Sequence, residues 1–317
     1  MSNNKAYDIL LDPITSLAIN KVAIQKVTRT IPCVANYWDF FAELENLTAA
    51  NIALINVRAN NTIIQQYVGT DLDSMNVYNG LPPSTAAPVN PVLNISQRRN
   101  RRFGGGIQSL SAAPPGSSSA DILTSGSPKD LETVTCLNTN SKDVAGNQIA
   151  TLQIEFYVIN TGASQPTITL TGYGADPFPG GAGLIKYVDM KTYNGTVGTN
   201  ILDKNTAYNI GDGMRLNLDQ IFYIPASGTM DEWIHYLQST PIRQRTENLN
   251  EFVQLSGVIK VLVAGVYVLD LAELIYGDET LPVGLTTSQF RTQVTLSAAG
   301  NVTVYQITEG TLFPVAG

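Results

Sequence analysis

At 317 residues the chain is longer than one average domain, so two domains or one large β domain are expected, with enough buried surface for a core that needs no covalent staples. Only 14% of residues are charged, while Thr, Asn, Ser, Gly and Pro abound; this is the composition of a turn-rich all-β protein, not a helical one. The net charge of −7, with no basic tail, excludes direct packaging of nucleic acid, which requires clustered Lys and Arg to displace counterions.

Residues 1–20 read as a short arm with an aliphatic patch, Ile9, Leu10 and Leu11, stopped by Asp12-Pro13. No basic start is followed by an uninterrupted apolar run, so no secretory signal is expected. With Lys5 and Tyr7 nearby, the patch suits either a bilayer surface or packing beneath the first domain, and it is too short for stable anchoring alone. From Lys21 to Ile31, Val22, Ile24 and Val27 alternate with Lys21, Gln25 and Arg29, which predicts a strand. Asn36–Leu47 fits a helix face through Trp38, Phe41 and Leu44, or a strand with its aromatics inward.

An internal echo decides between them. Thr48–Gly80 contains a strand-like run, the polar turn Ala59-Asn60-Asn61, a second strand and a polar-aliphatic tail. Thr229–Gly257 repeats that order around Gln238-Ser239-Thr240. With one gap, Leu72-Asp73-Ser74-Met75-Asn76 aligns with Leu249-Asn250-Glu251-Phe252-Val253, and Gly80 with Gly257. The stretch ahead of the second copy, Met214–Ile224, reads clearly as β, so Asn36–Leu47 is expected to be a strand as well. A chain holding two copies of one β unit is usually built to tile a surface.

Leu81–Asp130 differs in texture, with seven of the sixteen prolines, Gly104-Gly105-Gly106 and Ser117-Ser118-Ser119. It is expected to be an exposed loop holding one short strand or helix near Pro91–Ser96. Thr151–Ile159 alternates cleanly and predicts a half-buried strand, after which a boundary is expected near Thr161–Pro166. Val258–Tyr276 is greasy enough to suggest a membrane span. Its eleven Val, Ile and Leu residues supply roughly −5 kcal/mol of insertion energy, but Lys260, Asp270 and Glu273 oppose this at up to roughly +3 kcal/mol each. One or two buried strands are expected there instead. Phe290, Val294 and Leu296 alternate with Arg291, Gln293 and Thr295 before a turn at Ala298-Ala299-Gly300-Asn301 and a last strand through Val302 and Val304.

Residues that carry chemistry are sparse. His235 is the only histidine, so any Ser-His-Asp or Cys-His device would depend on it; a structural histidine is the expectation. One His and two distant Cys do not fill a zinc shell. Cys33 and Cys136 read as two free thiols of a chain folded in a cytosol, with pairing as the alternative. Asp71-Leu72-Asp73 places two carboxylates on one face of an extended segment without a calcium loop, and Gly211-Asp212-Gly213 reads as a hairpin turn. Gly104–Gly106 lacks the phosphate-loop pattern. The preceding Arg98, Arg99, Arg101 and Arg102 are expected in a solvated loop or paired with acidic neighbours across a subunit boundary; nucleic-acid or lipid-headgroup contacts are the other readings.

The order Leu47-Thr48-x-x-x-Ile52, strand, Asn turn, strand, Gly69-x-x-Leu72-x-x-x-Asn76-x-Tyr78-x-Gly80 is followed by a second half with Ile221-Phe222-Tyr223-Ile224, a polar turn and a strand. Together they resemble the double jelly-roll major capsid proteins of tailless icosahedral bacteriophages with an internal membrane, the lineage that includes adenovirus hexon. The closing passage is also similar, from Leu281-Pro282-Val283-Gly284 through Phe290-Arg291-Thr292 to Ala298–Tyr305. The resemblance covers roughly residues 22–307.

It implies an all-β fold of two tandem eight-stranded jelly-roll β-sandwiches, at residues 21–162 and 163–317 behind the arm of residues 1–20. It further implies homotrimers of pseudo-hexagonal outline that tile a virion shell around an internal membrane, with penton, vertex and minor capsid proteins as partners. No enzymatic activity, cofactor or genome contact is implied. Arg98, Arg99, Arg101 and Arg102 would serve as interface or loop contacts, and Lys5, Ile9, Leu10 and Leu11 as a membrane-facing arm. Two rival readings are a viral spike or lectin-like glycan binder using Tyr173, Tyr187, Tyr193 and Asn194 on loops, and a polysaccharide hydrolase with paired carboxylates.

Overall fold

The computed structural model describes residues 6–87, 89–97, 136–139, 146–175, 185–202, 215–237, 240–256, 263–270, 281–282 and 290–312. They form two compact units. The first draws on described residues between 6 and 190 together with 310–312, and the second on those between 191 and 309.

In the first unit, one sheet runs β1 (Ala6–Leu10), β9 (Thr167–Ala175), β3 (Asn36–Glu45), β6 (Val92–Ser96), with β7 (Leu137–Asn138) also pairing β3. The other runs β5 (Thr62–Tyr67), β4 (Ile52–Ala59), β8 (Leu152–Asn160), β2 (Lys21–Ile31). Strand β10 (Ile185–Gly195) joins β5 in parallel at Val188 and leads into the second unit. Asn36–Glu45 is therefore a strand, and the short element expected near Pro91–Ser96 is β6. Because β9 lies between β1 and β3, and the start of β10 pairs β5, the chain leaves the first unit after Met190 and not near Thr161–Pro166.

Period-2 alternation builds the core of this unit. Leu152, Ile154, Phe156 and Val158 on β8 are buried, as are Ile55 and Val57 on β4 and Phe40, Ala42 and Leu44 on β3. The alternation of β2 behaves differently. Its partly covered positions are Gln25, Val27 and Arg29, whereas Val22 and Ile24 face water. Gln25, Val27, Arg29 and Ile31 lie opposite the inward-facing Val158, Phe156, Ile154 and Leu152 of β8, so Val22 and Ile24 fall on the other face, and among the described residues β2 is the outer strand of its sheet.

In the second unit, β15 (Tyr267–Asp270), β12 (Arg215–Pro225), β18 (Gly300–Gly310) and β10 form one sheet, with β16 (Leu281–Pro282) pairing β12. The other sheet is β11 (Gly198–Ile201), β17 (Phe290–Leu296), β13 (Met230–Leu237) and β14 (Thr240–Thr246). Trp233, Met230, Ile221, Tyr223, Tyr267, Leu269, Val294 and Val304 form its core, with Trp233 edge-on to Tyr267 at 5.4 Å. The apolar Tyr267–Asp270 run is thus a fully buried strand, and Asp270 accepts a hydrogen bond from Gln220 Nε2 at 2.9 Å. No helix among the described residues is long and apolar enough to cross a membrane.

The internal echo is a hairpin followed by a helix in both units. Strands β4 and β5 lead to α1 (Gly69–Tyr78), and β13 and β14 lead to α2 (Glu247–Ser256). The tails that read as polar-aliphatic are helical, so Asp71 and Asp73 sit on a helix and not on an extended segment. Leu72, Met75 and Asn76 provide the i, i+3, i+4 spacing buried beneath α1. Its end is fixed by Gly80 at φ +81°, with Gly80 N–H donating to Val77 O and Leu81 N–H to Asn76 O, the paired bonds of a Schellman cap. The turn joining β4 and β5 has both central residues, Asn60 and Asn61, at positive φ, as a two-residue hairpin of type I′ demands. Asn60 also ties down the segment entering β8, accepting from the Ala150 and Thr151 amides and donating to Gln148 O.

The start of α1 lies so close to the Ala49–Asn51 turn that a Cβ on Gly69 would overlap the Ala49 carbonyl oxygen and the Ile52 side chain. Gly69→Ala should therefore lower stability by about 1–3 kcal/mol through overpacking, exceeding the gain of up to about 1 kcal/mol in helix propensity, and a urea melt would register this as a lower midpoint.

Asp39, Glu155 and Lys186 are buried charged residues of the first unit, and Glu155 has the fullest set of charged partners. Glu155 of β8 forms ion pairs through Oε1 with Lys26 Nζ at 2.7 Å and Arg58 Nε at 3.0 Å, and accepts a hydrogen bond from Asn56 Nδ2 at 3.1 Å through Oε2. Burial alone would raise its pKa, but these donors outweigh it and hold the carboxyl at about 2. A carboxyl depressed on folding stabilises the native state above its unfolded pKa, and that contribution fades as pH falls toward 2. Acid titration of thermal stability should therefore show a loss of about 2–3 kcal/mol between roughly pH 5 and 2 that Glu155→Gln abolishes.

Candidate functional surfaces

The positions where chemistry was sought are structural. His235 on β13 is fully buried; its Nδ1 hydrogen-bonds with Thr292 Oγ1 at 3.1 Å, and Tyr223 reaches the same hydroxyl at 3.0 Å. Desolvation, reinforced by Arg243 and Arg245, holds the imidazole pKa down at about 3. A neutral ring sealed from solvent has neither the basicity nor the access of a general base. Asp73 accepts from the Ser84 amide at 2.6 Å and its hydroxyl at 2.9 Å, fastening the chain that leaves α1. Among the described residues no group of three or more His, Cys, Asp and Glu is placed to hold a metal. Cys33 and Cys136 are both free thiols, and burial pushes Cys136 up to about 12, far from the reactive thiolate form.

The tyrosines considered for glycan contact lie on strands, not loops. Tyr173 of β9 packs against Trp38 at 5.7 Å, Tyr187 of β10 is buried with its hydroxyl donating to Thr311 O, and Tyr193 lies beneath Lys191. Asn194 is exposed on β10. They do not assemble into one loop cluster. Arg98, Arg99, Arg101, Arg102, Lys5, Gly104–Gly106 and Gly211–Gly213 lie outside the described residues.

The N-terminal stretch is paired instead of free. Strand β1 runs antiparallel to β9, Leu11 N–H donates to Leu170 O, and Leu11, Ile14 and Leu17 are buried. Ile9 is half-covered opposite Gly172, and Leu10 is exposed. The features that sequence reasoning missed are surfaces. They are the exposed Val22 and Ile24 on β2 and the exposed Leu249 and Phe252 on α2. The β2 alternation signalled a strand but not its place at a sheet edge.

No protein-family model matches the chain, and no curated protein sequence does. Solved structures match over nearly its whole length. The major capsid protein P2 from bacteriophage PM2 is 12% identical with a TM-score of 0.66, the match covering 96% of this chain and 97% of that one. The STIV MCP is 9% identical with a TM-score of 0.62, covering 98% of each chain. PBCV-1 VP54 is 9% identical with a TM-score of 0.61, covering 98% of this chain and 94% of that one. Two β-sandwich units, a shared hairpin-helix module in each and end-to-end superposition on these proteins give this chain the double jelly-roll fold of viral major capsid proteins.

Proposed function

We propose that the chain is the major coat subunit of an icosahedral virus, a structural protein whose work is assembly. The observation that carries this reading is the extent of the fold match, which covers 96% of this chain and 97% of a phage major capsid protein. The chemistry agrees, since the lone histidine is sealed and neutral and the thiols are unreactive.

In this reading three copies associate into a homotrimer. Two similar sandwiches per chain let threefold symmetry present a pseudo-hexagonal outline, so one building block packs into near-hexagonal sheets. The rigidity this needs comes from the two packed cores. Vertex and minor capsid proteins would complete the shell where hexagonal packing must break, and the finished location is the virion, after folding in the host cytoplasm. An internal membrane would meet little of the described N-terminal stretch, because Leu11, Ile14 and Leu17 are already buried and Leu10 and Ile19 are its exposed large aliphatic residues. Arg98, Arg99, Arg101 and Arg102 would serve contacts between subunits.

Purified protein should run under native conditions at about three times its 34.1 kDa chain mass, and negative-stain images of assembled material should show trimers packed hexagonally. A species that stays monomeric at high concentration would overturn the proposal.

A further inference from the structure

The two hairpin-helix modules differ in what their helices cover. In α1, Leu72 and Met75 are buried, while their counterparts in α2, Leu249 and Phe252, are 44% and 68% exposed. A ten-residue helix is held in place mainly by burial of its apolar side, so an open Leu and Phe three residues apart mark a surface awaiting cover. A second open apolar set stands on the first unit. On β2, Val22 and Ile24 are 74% and 58% exposed, and β2 pairs with β8 on one side and, among the described residues, with no strand on the other.

The two surfaces are opposite in charge. Strand β2 carries Lys21 and Arg29, together with Lys26, which is paired with Glu155, and no acidic residue, whereas α2 carries Glu247 and Glu251 and no basic one. Lys21, Lys26 and Glu251 are exposed. Two β2 surfaces repel one another, as do two α2 surfaces, while each attracts the other kind.

We propose that the β2 surface of one copy docks against the α2 surface of a second copy, with Val22 and Ile24 meeting Leu249 and Phe252 inside a rim of Lys21 and Glu251. This deepens the coat-subunit reading and rests on it. A contact joining two different patches is heterologous, so each copy offers one surface to each neighbour, and the contacts close into a ring of three where the rotation between copies is a third of a turn, as the trimer reading requires. The pairing assigns the ring its direction, from the first unit of one copy to the second unit of the next.

Differently tagged Ile24→Cys and Phe252→Cys chains, co-expressed and treated with a short bis-maleimide, test it. The parent chain is the control for its own half-buried Cys33 and buried Cys136. A covalent product joining the two tags is expected, and neither variant alone should yield product beyond that of the parent. In a preparation that runs as trimers, the absence of the mixed product, or a product from Ile24→Cys alone, overturns the docking and leaves the coat reading standing. Phe252→Asp, which alters an exposed side chain and should leave the circular dichroism spectrum unchanged, is expected to raise the concentration at which trimers dissociate at least about tenfold. Unchanged assembly of that variant also overturns the docking. A wild-type chain that never leaves the monomer would defeat the coat reading itself.

Discussion

Strand β8 enters its sheet between β2 and β4 with Leu152 opposite Ala59 on one side and Ile31 on the other, and the first unit depends on that insertion. Ala59 and Leu152 are far apart in sequence, so the sheet closes only after a long loop has surrendered its freedom. Register is what makes the closure specific. A slip of one residue would turn Leu152, Ile154, Phe156 and Val158 outward and drive Glu155 into the apolar interior. In the native register Glu155 meets Lys26 from β2 and Asn56 and Arg58 from β4, so one carboxylate reads the position of both neighbouring strands. Pairing of this kind adds modest net stability, because its desolvation cost is large, but it penalises the wrong alignment heavily. Asn60 acts at the same end of the strand by gripping the Ala150 and Thr151 amides.

Duplication and divergence are both visible in the hairpin-helix modules. In α1, burial of Leu72 and Met75, the tight approach at Gly69 and the glycine cap at Gly80 lock the helix onto its own unit. In α2 the matching positions hold a longer aromatic residue and leave it in water. The same backbone module therefore serves as internal structure in one half and as external surface in the other. Among the described residues, Leu249 and Phe252 are left exposed where Leu72 and Met75 are covered.

Much of the architecture could be read from the residues because half-buried strands impose a period of two. Thr151–Ile159 and Phe290–Leu296 show it directly, and Asn36–Glu45 was identified as a strand only because its counterpart at Met214–Ile224 was clearer. The helices escaped notice since α1 is short and begins with Gly, Thr and Asp, all poor helix formers, so its structure comes from tertiary burial of Leu72 and Met75 and not from propensity. On β2 the strand was legible but its faces were not, because Val27 shares the inward parity of Gln25 and Arg29 while Val22 and Ile24 have the opposite one. Asp71 and Asp73 illustrate the limit for candidate sites. Two acids in sequence say nothing about ligands until the fold shows that Asp73 is already engaged by Ser84. The open apolar positions on β2 and α2 were hidden for the same reason, since exposure is a property of the folded object.

The three cations of β2 bear on life before assembly. An open strand edge is a template onto which any identical edge can zip, and among the described residues β2 is paired on one side only. Placing Lys21, Lys26 and Arg29 along that rim makes like-with-like stacking electrostatically costly while leaving the backbone geometry untouched. Newly made chains thereby gain protection from fibrous by-products at the place where their sheet is least finished.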